Sequence, residues 1–222
     1  YISSLLKSSS GEVFIGTDRG LAKFDGTSNN GWAIFNTNNS DLPHNYISSF
    51  LESSSGEVFI GTGEGLAKFD GTSNTGWTIF NTDNSDLPVN SIYSLLESSN
   101  GDVFVGTASG GLAKFDGTSS TGWTIFNTSN SDLPDNSVYS LLESSSGDIF
   151  VGTYGGGLSK FDGTNWTRYT TADGLVGDNI RVLFHDSANS IFNFIGFIAY
   201  CCTQVTGFLL CRCDDVLGFC NS

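Results

Sequence analysis

The chain has 222 residues and a formal net charge of −14, which argues against nucleic acid as a partner, because phosphates are bound mainly by Lys and Arg. The same acidity argues against anionic membrane surfaces and is compatible with solubility, cations or neutral polar ligands such as glycans. Charged residues make up only 14% of the sequence, whereas Gly, Ser, Thr, Asn and aromatic residues are frequent, so the composition is typical of a β protein.

One unit of about 45 residues recurs along the chain. The copies cover residues 1–45, 46–90, 91–136 and 137–179, and a further copy begins near residue 179. A repeat of this length is typical of solenoids, propellers and other arrays, in which each unit packs against its neighbours. We place the repeats in one domain, residues 1–192, followed by an atypical tail, residues 193–222.

The third unit, residues 91–136, shows how one repeat is built. Four short runs rich in β-branched and aromatic residues alternate with turns that contain Gly, Ser or Asp. No segment has the 3.6-residue periodicity of a helix. The predicted strands of this unit, called A to D, are 91–97, 102–107, 111–115 and 122–127.

Four antiparallel strands in each period are typical of a β-propeller blade. The alternative is a β-solenoid, but solenoid coils are usually shorter and lack three hairpin turns in each repeat. Pro43, Pro88 and Pro134 all fall in the linkers between units, where a sheet needs no N–H donor. We therefore predict an all-β fold, a β-propeller of four-stranded antiparallel blades with four clear repeats plus a degenerate fifth, and with strand A innermost.

The stretch from residue 92 to residue 116 follows the pattern I-x-S-L-L-E-x3-G-x-[VI]-F-[VI]-G-T, then G-L-A-K-F-D. This pattern resembles the two-component regulator propeller repeat, whose copies form blades of periplasmic sensor domains in bacterial hybrid histidine kinases and of other secreted proteins. The resemblance implies a propeller that is extracellular, at the cell surface or periplasmic, in a ring that commonly has six or seven blades. Where the family often has Trp, this chain has Phe14, Phe59, Phe104 and Phe150.

The tail departs from the repeat, since it lacks Lys and the Phe-Asp-Gly turn. Four interpretations stay open: a degenerate fifth blade closed by disulfides, a tail read from a disrupted reading frame, an assembly segment, or a membrane anchor at 191–211. The polar residues within 191–211 disfavour the membrane anchor. The cysteine spacings disfavour a zinc site, and the odd number leaves at least one thiol without an intrachain disulfide partner. The cysteines are Cys201, Cys202, Cys211, Cys213 and Cys220.

Three carboxylates end strand A, those of Glu52, Glu97 and Glu143, with Lys7 and Asp186 at the equivalent places. In a propeller these residues would ring the mouth of the central channel, on the face that carries the A–B turns. A ring of carboxylates can bind a cation, because carboxylate oxygens are cation ligands, or it can simply face water. We prefer the interpretation as solvated carboxylates.

Strand D carries one Trp in every unit. Such a Trp can offer a stacking platform to a glycan, but in this position it more often packs between neighbouring blades. We predict the core role, with the aromatic residue three positions later, such as Phe35, on the opposite side of the strand. The Trp residues are Trp32, Trp77, Trp123 and Trp166.

The units differ from one another mainly in the B–C loop and in the D–A linker. In an up-and-down blade these two segments emerge on the same face, so their variation predicts a partner on that face. Neutral drift in loops would give the same pattern. The exceptional residues there, which are our candidate ligand-binding or partner-binding residues, are Arg19, His44, Glu64 and Tyr154.

The sequence has no nucleophile elbow, zinc-protease or phosphate-loop motif. Near-identical blades repeat the same groups, whereas a catalytic centre needs a unique set. We therefore predict a non-enzymatic recognition module of the sensor-domain type, without metal or cofactor, whose partner is a small molecule, a glycan or a protein. The alternatives are a structural module that self-associates into an oligomer or extracellular filament, and a propeller lyase or hydrolase.

Overall fold

The computed structural model describes residues 1–27, 30–69, 75–116, 120–185, 191–195, 198–200, 203–205 and 208–210. In these residues the regular elements are β-strands, apart from one short 3-10 helix at Thr171–Asp173. No helix in this part of the chain is long and apolar enough to cross a membrane.

Strands β1 to β16 form four four-stranded antiparallel blades, so the predicted fold class is confirmed. Blade 1 consists of β1 (Ile2–Lys7), β2 (Val13–Thr17), β3 (Gly20–Phe24) and β4 (Trp32–Phe35). Blade 2 consists of β5 (Ile47–Glu52), β6 (Val58–Thr62), β7 (Gly65–Phe69) and β8 (Thr78–Phe80). Blade 3 consists of β9 (Ile92–Glu97), β10 (Val103–Thr107), β11 (Leu112–Phe115) and β12 (Trp123–Phe126). Blade 4 consists of β13 (Val138–Glu143), β14 (Ile149–Thr153), β15 (Leu158–Phe161) and β16 (Trp166–Tyr169).

Strand A has the same irregularity in every blade, close to its first residue. The A–B ladder skips one residue there, so that this residue bulges out of the pairing. A bulge bends its strand and gives the unpaired side chain a new direction. The bulged residues are Ser3, Ser48, Tyr93 and Tyr139.

The hydrophobic core lies between successive blades. Each blade packs one face, which we call its trailing face, on the opposite face of the next blade, its leading face. The trailing face has Phe from strand B, Leu from strand C and Phe from strand D, with Tyr169 in place of this last Phe in blade 4. At the first junction Phe14, Leu21 and Phe35 of blade 1 pack around Ile60 and Ala67 of blade 2. Because the same arrangement recurs between blades 2 and 3 and between blades 3 and 4, one repeat sequence builds every junction.

The Trp of strand D packs in this core in blades 2 to 4, as predicted, whereas Trp32 of blade 1 is 48% exposed. Trp77 is 7% exposed and packs edge-on against Phe69 of its own blade, with ring centroids 4.7 Å apart. Phe35 of blade 1 completes the cluster, at 5.4 Å from Phe69 and 5.5 Å from Trp77. The same three-ring cluster recurs at the next two junctions. These rings therefore act as inter-blade core and are not available as a glycan platform there.

The Gly of the repeated F-[VI]-G-T sequence is required because its position has no space for a side chain. A Cβ built on Gly106 would overlap Oγ of Ser94, its partner on strand A, and would lie 2.7 Å from Cγ1 of Val138 in the next blade. The equivalent glycines of the other blades are equally crowded. Glycine thus lets the innermost strand of each blade come close to the sheet of the preceding one.

A fifth unit begins as the first four do. Ile180 and Leu183 are buried with Phe150 and Leu158 of blade 4. The sheet continues as β17 (Val182–His185), β18 (Ile191–Ile195) and β19 (Ile198–Tyr200), and β20 (Thr203–Val205) pairs separately with β21 (Phe208–Leu210).

The register of this unit corrects one sequence alignment. β17 pairs His185 with Ile191, just as β13 pairs Glu143 with Ile149. His185, and not Asp186, therefore holds the place equivalent to Glu143. Asp186 and the five cysteines lie outside the described residues.

Candidate functional site

The B–C loops and the D–A linkers emerge at the same end of the blades, because the strands of each blade run up and down in sequence order. We call this end the loop face. Backbone hydrogen bonds join its segments: Ala108 N donates to Ser91 O at 3.0 Å, and Tyr154 N donates to Ser137 O at 3.0 Å. A further bond runs from Gly155 N to Asp178 O, at 2.9 Å. The loops are therefore anchored on the linkers.

Two of the predicted site residues contact neighbouring segments of the loop face. The half-buried His44 accepts a hydrogen bond from Tyr46 N on its Nδ1, at 3.0 Å. Its ring also lies against Gly63, where a Cβ would be 2.9 Å from Nδ1. Glu64 is exposed and accepts a 3.4 Å hydrogen bond from Asn90 Nδ2. His44 thus has a structural place between a linker and a loop, and Glu64 remains accessible.

The other two predicted residues lie in loops of different blades. Arg19 is exposed in the B–C loop of blade 1, where its backbone N donates to Thr17 Oγ1 at 3.0 Å. Tyr154 is 50% exposed in the B–C loop of blade 4, with its ring 5.8 Å from that of Tyr139. Of the four predicted residues, Tyr154 is the one that joins a cluster of aromatic side chains.

This cluster is built on the bulges of strand A. Blades 1 and 2 have Ser3 and Ser48 at the bulged position, whereas blades 3 and 4 have Tyr93 and Tyr139. In the fifth unit the same place is held by Arg181. At this position of strand A, the last three units therefore have tyrosine or arginine, whereas the first two units have serine.

The rings form a row, which we call the tyrosine row: Tyr93, Tyr139 and Tyr154, with Arg181 beside it. Tyr93 and Tyr139 stack nearly parallel, with ring centroids 4.9 Å apart and an interplanar angle of 10°. Tyr154 lies at 57° to Tyr139, and the Arg181 guanidinium carbon is 5.5 Å from the centroid of Tyr139. Such a distance is typical of a cation–π contact.

The Tyr139 phenol, at the centre of this row, stays neutral at physiological pH, because its pKa is raised. Burial raises the pKa of Tyr139 above its usual range, and the nearby Tyr93, Tyr154 and Asp135 raise it further, whereas Arg181 lowers it. Burial likewise raises the pKa of Tyr46. Neutral phenols donate and accept hydrogen bonds, while the ring faces are apolar. The row therefore suits a ligand with flat apolar faces and polar edges.

The A–B turns lie at the opposite end of the blades, and there the strand A carboxylates bind the turns of neighbouring blades. Each accepts hydrogen bonds from the middle serine of the A–B turn in the preceding blade. In one pair the backbone N of Ser99 lies 3.0 and 2.8 Å from the two carboxylate oxygens of Glu143, and its hydroxyl lies at 2.8 Å. The pairs are Ser9–Glu52, Ser54–Glu97 and Ser99–Glu143. Among the described residues, no group of three His, Cys, Asp or Glu could hold a metal ion.

Clefts between blades open at this same end. One of about 560 Å³ lies between blades 3 and 4 and includes Glu143 together with the ion pair Lys114–Asp102, whose N–O distance is 3.0 Å. A cleft of about 290 Å³ between blades 1 and 2 includes the ion pair Lys68–Glu57, at 2.6 Å. Because both clefts are built from repeated groups that already pair internally, this end has no set of residues as distinctive as the tyrosine row.

Two stretches of the chain, residues 86–109 and 132–155, match the family model described as two component regulator propeller. These two stretches are similar to two-component regulator propeller repeats. Each covers the end of a D–A linker and strands A and B, in blades 3 and 4. The predicted resemblance is therefore confirmed. A search of the curated proteins gives no match.

The fold is also that of solved sensor domains. The extracellular domain of the hybrid two component system BT3049 from B. thetaiotaomicron aligns with a TM-score of 0.76 and 24% identity, over 95% of this chain and 28% of that one. For BT4673 of the same organism the TM-score is 0.76 at 16% identity, over 90% and 28%. Virginiamycin B lyase from Staphylococcus aureus aligns with a TM-score of 0.64 at 12% identity, over 86% and 62%. The chain thus spans 28% of the sensor domains, and at these identities the likeness defines the fold.

Sequence reasoning did not single out Tyr93, Tyr139 or Arg181. A comparison of the units position by position along strand A, rather than in the loops, would have found them, because Ser3 and Ser48 precede them at the same place. What the sequence does not reveal is the bulge, which frees these side chains from the regular alternation of the strand.

Proposed function

We propose that this chain is a non-enzymatic recognition module of the sensor-domain type that binds its ligand on the loop face, at the tyrosine row. The observation that carries the proposal is the stacked pair Tyr93 and Tyr139, flanked by Tyr154 and Arg181. Most other groups recur in each blade, whereas this set occurs once among the described residues. A unique set on an anchored surface is what selective binding requires.

The ligand class that fits best is an oligosaccharide. The C–H faces of a sugar ring pack on aromatic faces, and neutral phenols and a guanidinium can bond its hydroxyls at the edges. The net charge of −14 disfavours a polyanionic ligand. An extracellular or periplasmic location agrees with this ligand class and with the extracellular origin of the similar sensor domains.

The non-enzymatic assignment has a physical basis in the titrating groups. Where carboxyl pKa values are lowered, at Asp25 and Asp162, the causes are local: N–H and O–H groups of the same turn. The raised tyrosine pKa values follow from burial. Such shifts reflect turn geometry and packing, not a pair of groups poised to exchange a proton.

The test is a binding screen with a panel of neutral and uronic-acid-containing oligosaccharides, followed by calorimetry on any that bind. Tyr139→Ala and Tyr154→Ala are each expected to weaken binding by about tenfold, since loss of an aromatic contact residue typically costs more than about 1 kcal/mol and about 1.4 kcal/mol is tenfold. Arg181→Ala is expected to weaken it as well. Arg19→Ala, in the loop of blade 1, is expected to have little effect.

The matched control is Ser48→Ala, which changes the same bulged position in blade 2. It is expected to leave affinity and thermal stability unchanged. A panel without any binder, or a binder whose affinity is the same in wild type and Tyr139→Ala, would refute the assignment of the site.

A further inference from the structure

The turn between strands C and D is shorter in blade 4 than in the first three blades. In blade 3 this turn is closed by a backbone hydrogen bond from Asp116 N to Gly122 O, whereas in blade 4 Asp162 N donates to Asn165 O. The bonded residues are six positions apart in blade 3 and three positions apart in blade 4. The blade 4 turn therefore lacks three residues of the repeat.

At the first two junctions the longer turn reaches the D–A linker that follows the preceding blade. Gly76 N, in the turn of blade 2, donates to Asp41 Oδ2 at 2.7 Å. At the next junction Asp86 N donates to Ser120 O at 3.1 Å. Asp132 holds the same place in the linker that follows blade 3, and it is exposed. Within the described parts of the chain, no hydrogen bond joins this linker to the shorter turn of blade 4, so the outer end of the junction is open.

Two clefts meet in this opening. The outer cleft, of about 470 Å³, lies beside Asp132, and the inner cleft, of about 560 Å³, is the one that includes Glu143. Both are lined by Phe126, Phe161 and Gly163, so they form one groove between blades 3 and 4. Each volume lies in the range of small-molecule sites, whereas the inner cleft between blades 1 and 2 has about 290 Å³. The groups of the inner cleft recur in other blades, and the shorter turn is what distinguishes this junction.

The floor of the groove is aromatic. The rings of Phe126 and Phe161 lie 5.0 Å apart, and Trp166 stacks on Phe161 at 4.7 Å. Phe126 lines both clefts and is half-buried, whereas the equivalent Phe35 and Phe80 are 5% and 7% exposed. Part of the ring cluster therefore faces the groove and offers an apolar surface to a ligand.

The described residues that line the groove include four carboxylates and one ammonium. Asp132 belongs to the outer cleft, whereas Asp102, Glu143 and Asp162 belong to the inner cleft. The ammonium is that of Lys114, which pairs with Asp102 at 3.0 Å. Negative charge therefore remains on both sides of the apolar floor. A cleft lined by one sign of charge concentrates ligands of the opposite sign.

We propose that the groove between blades 3 and 4 binds an elongated organic cation of the polyamine type, with an ammonium group at each end of an apolar chain. The chain packs on Phe126 and Phe161, one ammonium pairs with Asp132, and the other meets the carboxylates of the inner cleft. The groove shares no residue with the tyrosine row, so this proposal does not rest on the proposed function.

The test is calorimetric titration of the whole chain with cadaverine, a diamine with a chain of methylene groups between two ammonium groups. The expected result is saturable binding of one molecule per chain, which weakens as the salt concentration rises because exposed charges are screened. Pentylamine, with a single ammonium, is expected to bind less tightly than cadaverine. Pentanediol, which has the same chain without charge, is expected not to bind.

Two variants locate the site. Asp132→Asn is expected to weaken cadaverine binding about two- to fivefold, as loss of an exposed ion pair does. Replacement of the blade 4 turn, residues 162–165, by the blade 3 turn, residues 116–122, is expected to abolish binding, because the longer turn would cover the outer cleft. The matched control is Asp86→Asn, which removes the same charge from the equivalent place between blades 2 and 3. It is expected to bind cadaverine like the wild type.

Circular dichroism and thermal unfolding of each variant show whether the blades are intact. Three results would overturn the proposal. The first is the absence of saturable cadaverine binding to the wild type. The second is equal weakening by Asp132→Asn and Asp86→Asn, which would assign the binding to the overall negative charge. The third is unchanged cadaverine binding in the folded variant with the longer turn.

Discussion

Replacement of Glu143 by Ala is expected to lower the free energy of unfolding by about 1–2 kcal/mol, through loss of the hydrogen bonds that join blades 3 and 4. The Ser99 backbone N–H reaches both carboxylate oxygens, at 3.0 and 2.8 Å, and counts as one bond, while its hydroxyl at 2.8 Å makes a second. A hydrogen bond to a charged group contributes about 1.5–3 kcal/mol when buried, but solvent exposure reduces this to roughly 0.5–1 kcal/mol each.

Two further variants separate the contributions. Glu143→Gln keeps one oxygen that can accept from Ser99 and removes the charge, so its loss is expected to be about half that of Glu143→Ala. Glu64→Ala is the matched control on the loop face, where the carboxylate accepts a 3.4 Å hydrogen bond from Asn90 Nδ2. Its effect is expected to stay within about 0.5 kcal/mol.

Urea unfolding at constant slope gives the free energies, and amide hydrogen exchange gives the local effect. The N–H of Ser99 is expected to exchange faster in Glu143→Ala than in the wild type, because it loses its acceptor. A free energy of unfolding for Glu143→Ala within error of that of Glu64→Ala, with unchanged exchange at Ser99, would show that these hydrogen bonds do not hold the blades together.

Three other predictions concern packing and pH. Gly106→Ala is expected to destabilise the protein by about 1–3 kcal/mol, because the methyl group would overlap neighbouring atoms, Val138 among them; urea unfolding measures this loss. Trp77→Ala is expected to lower the free energy of unfolding by about 3–5 kcal/mol, whereas Trp32→Ala, at the exposed equivalent position, should lower it by less than about 1 kcal/mol. Equal losses in thermal unfolding would contradict the packing of Trp77 in the core between blades. Backbone N–H groups of its turn lower the pKa of Asp162 below 3.8. The ionised carboxylate therefore contributes to stability above pH 3.8, and this contribution is lost as the pH falls through the lowered pKa. An NMR titration that gives Asp162 a pKa at or above 3.8 would contradict this prediction.

The blades could be predicted from the sequence because their causes are local. Alternation of apolar residues, glycine-containing turns and the repeat period are all visible in the printed chain. The core role of Trp77 also followed, since a residue repeated in every unit serves every junction. The sequence alone therefore yields strands, blade and core.

Contacts between units could not be predicted in the same way. Ser99 and Glu143 are 44 residues apart, and they meet only because strand A of blade 4 lies beside the A–B turn of blade 3. The tyrosine row depends on a bulge, which slips the register at Tyr93 and Tyr139 by one residue. Register is a property of paired strands, so it becomes visible only when both partners are in place.

Because the junctions between blades are alike, a gene of this kind can change by loss or gain of whole units. If one whole period, residues 46–90, were deleted, Phe14 of the first blade would meet the surface that Phe59 now covers, and Ser9 would face Glu97. No unmatched surface would arise, and the loss would amount to one unit plus one junction. Recombination between the near-identical copies can thus shorten or lengthen the array in phase, so the number of units can evolve faster than the sequence of any one of them.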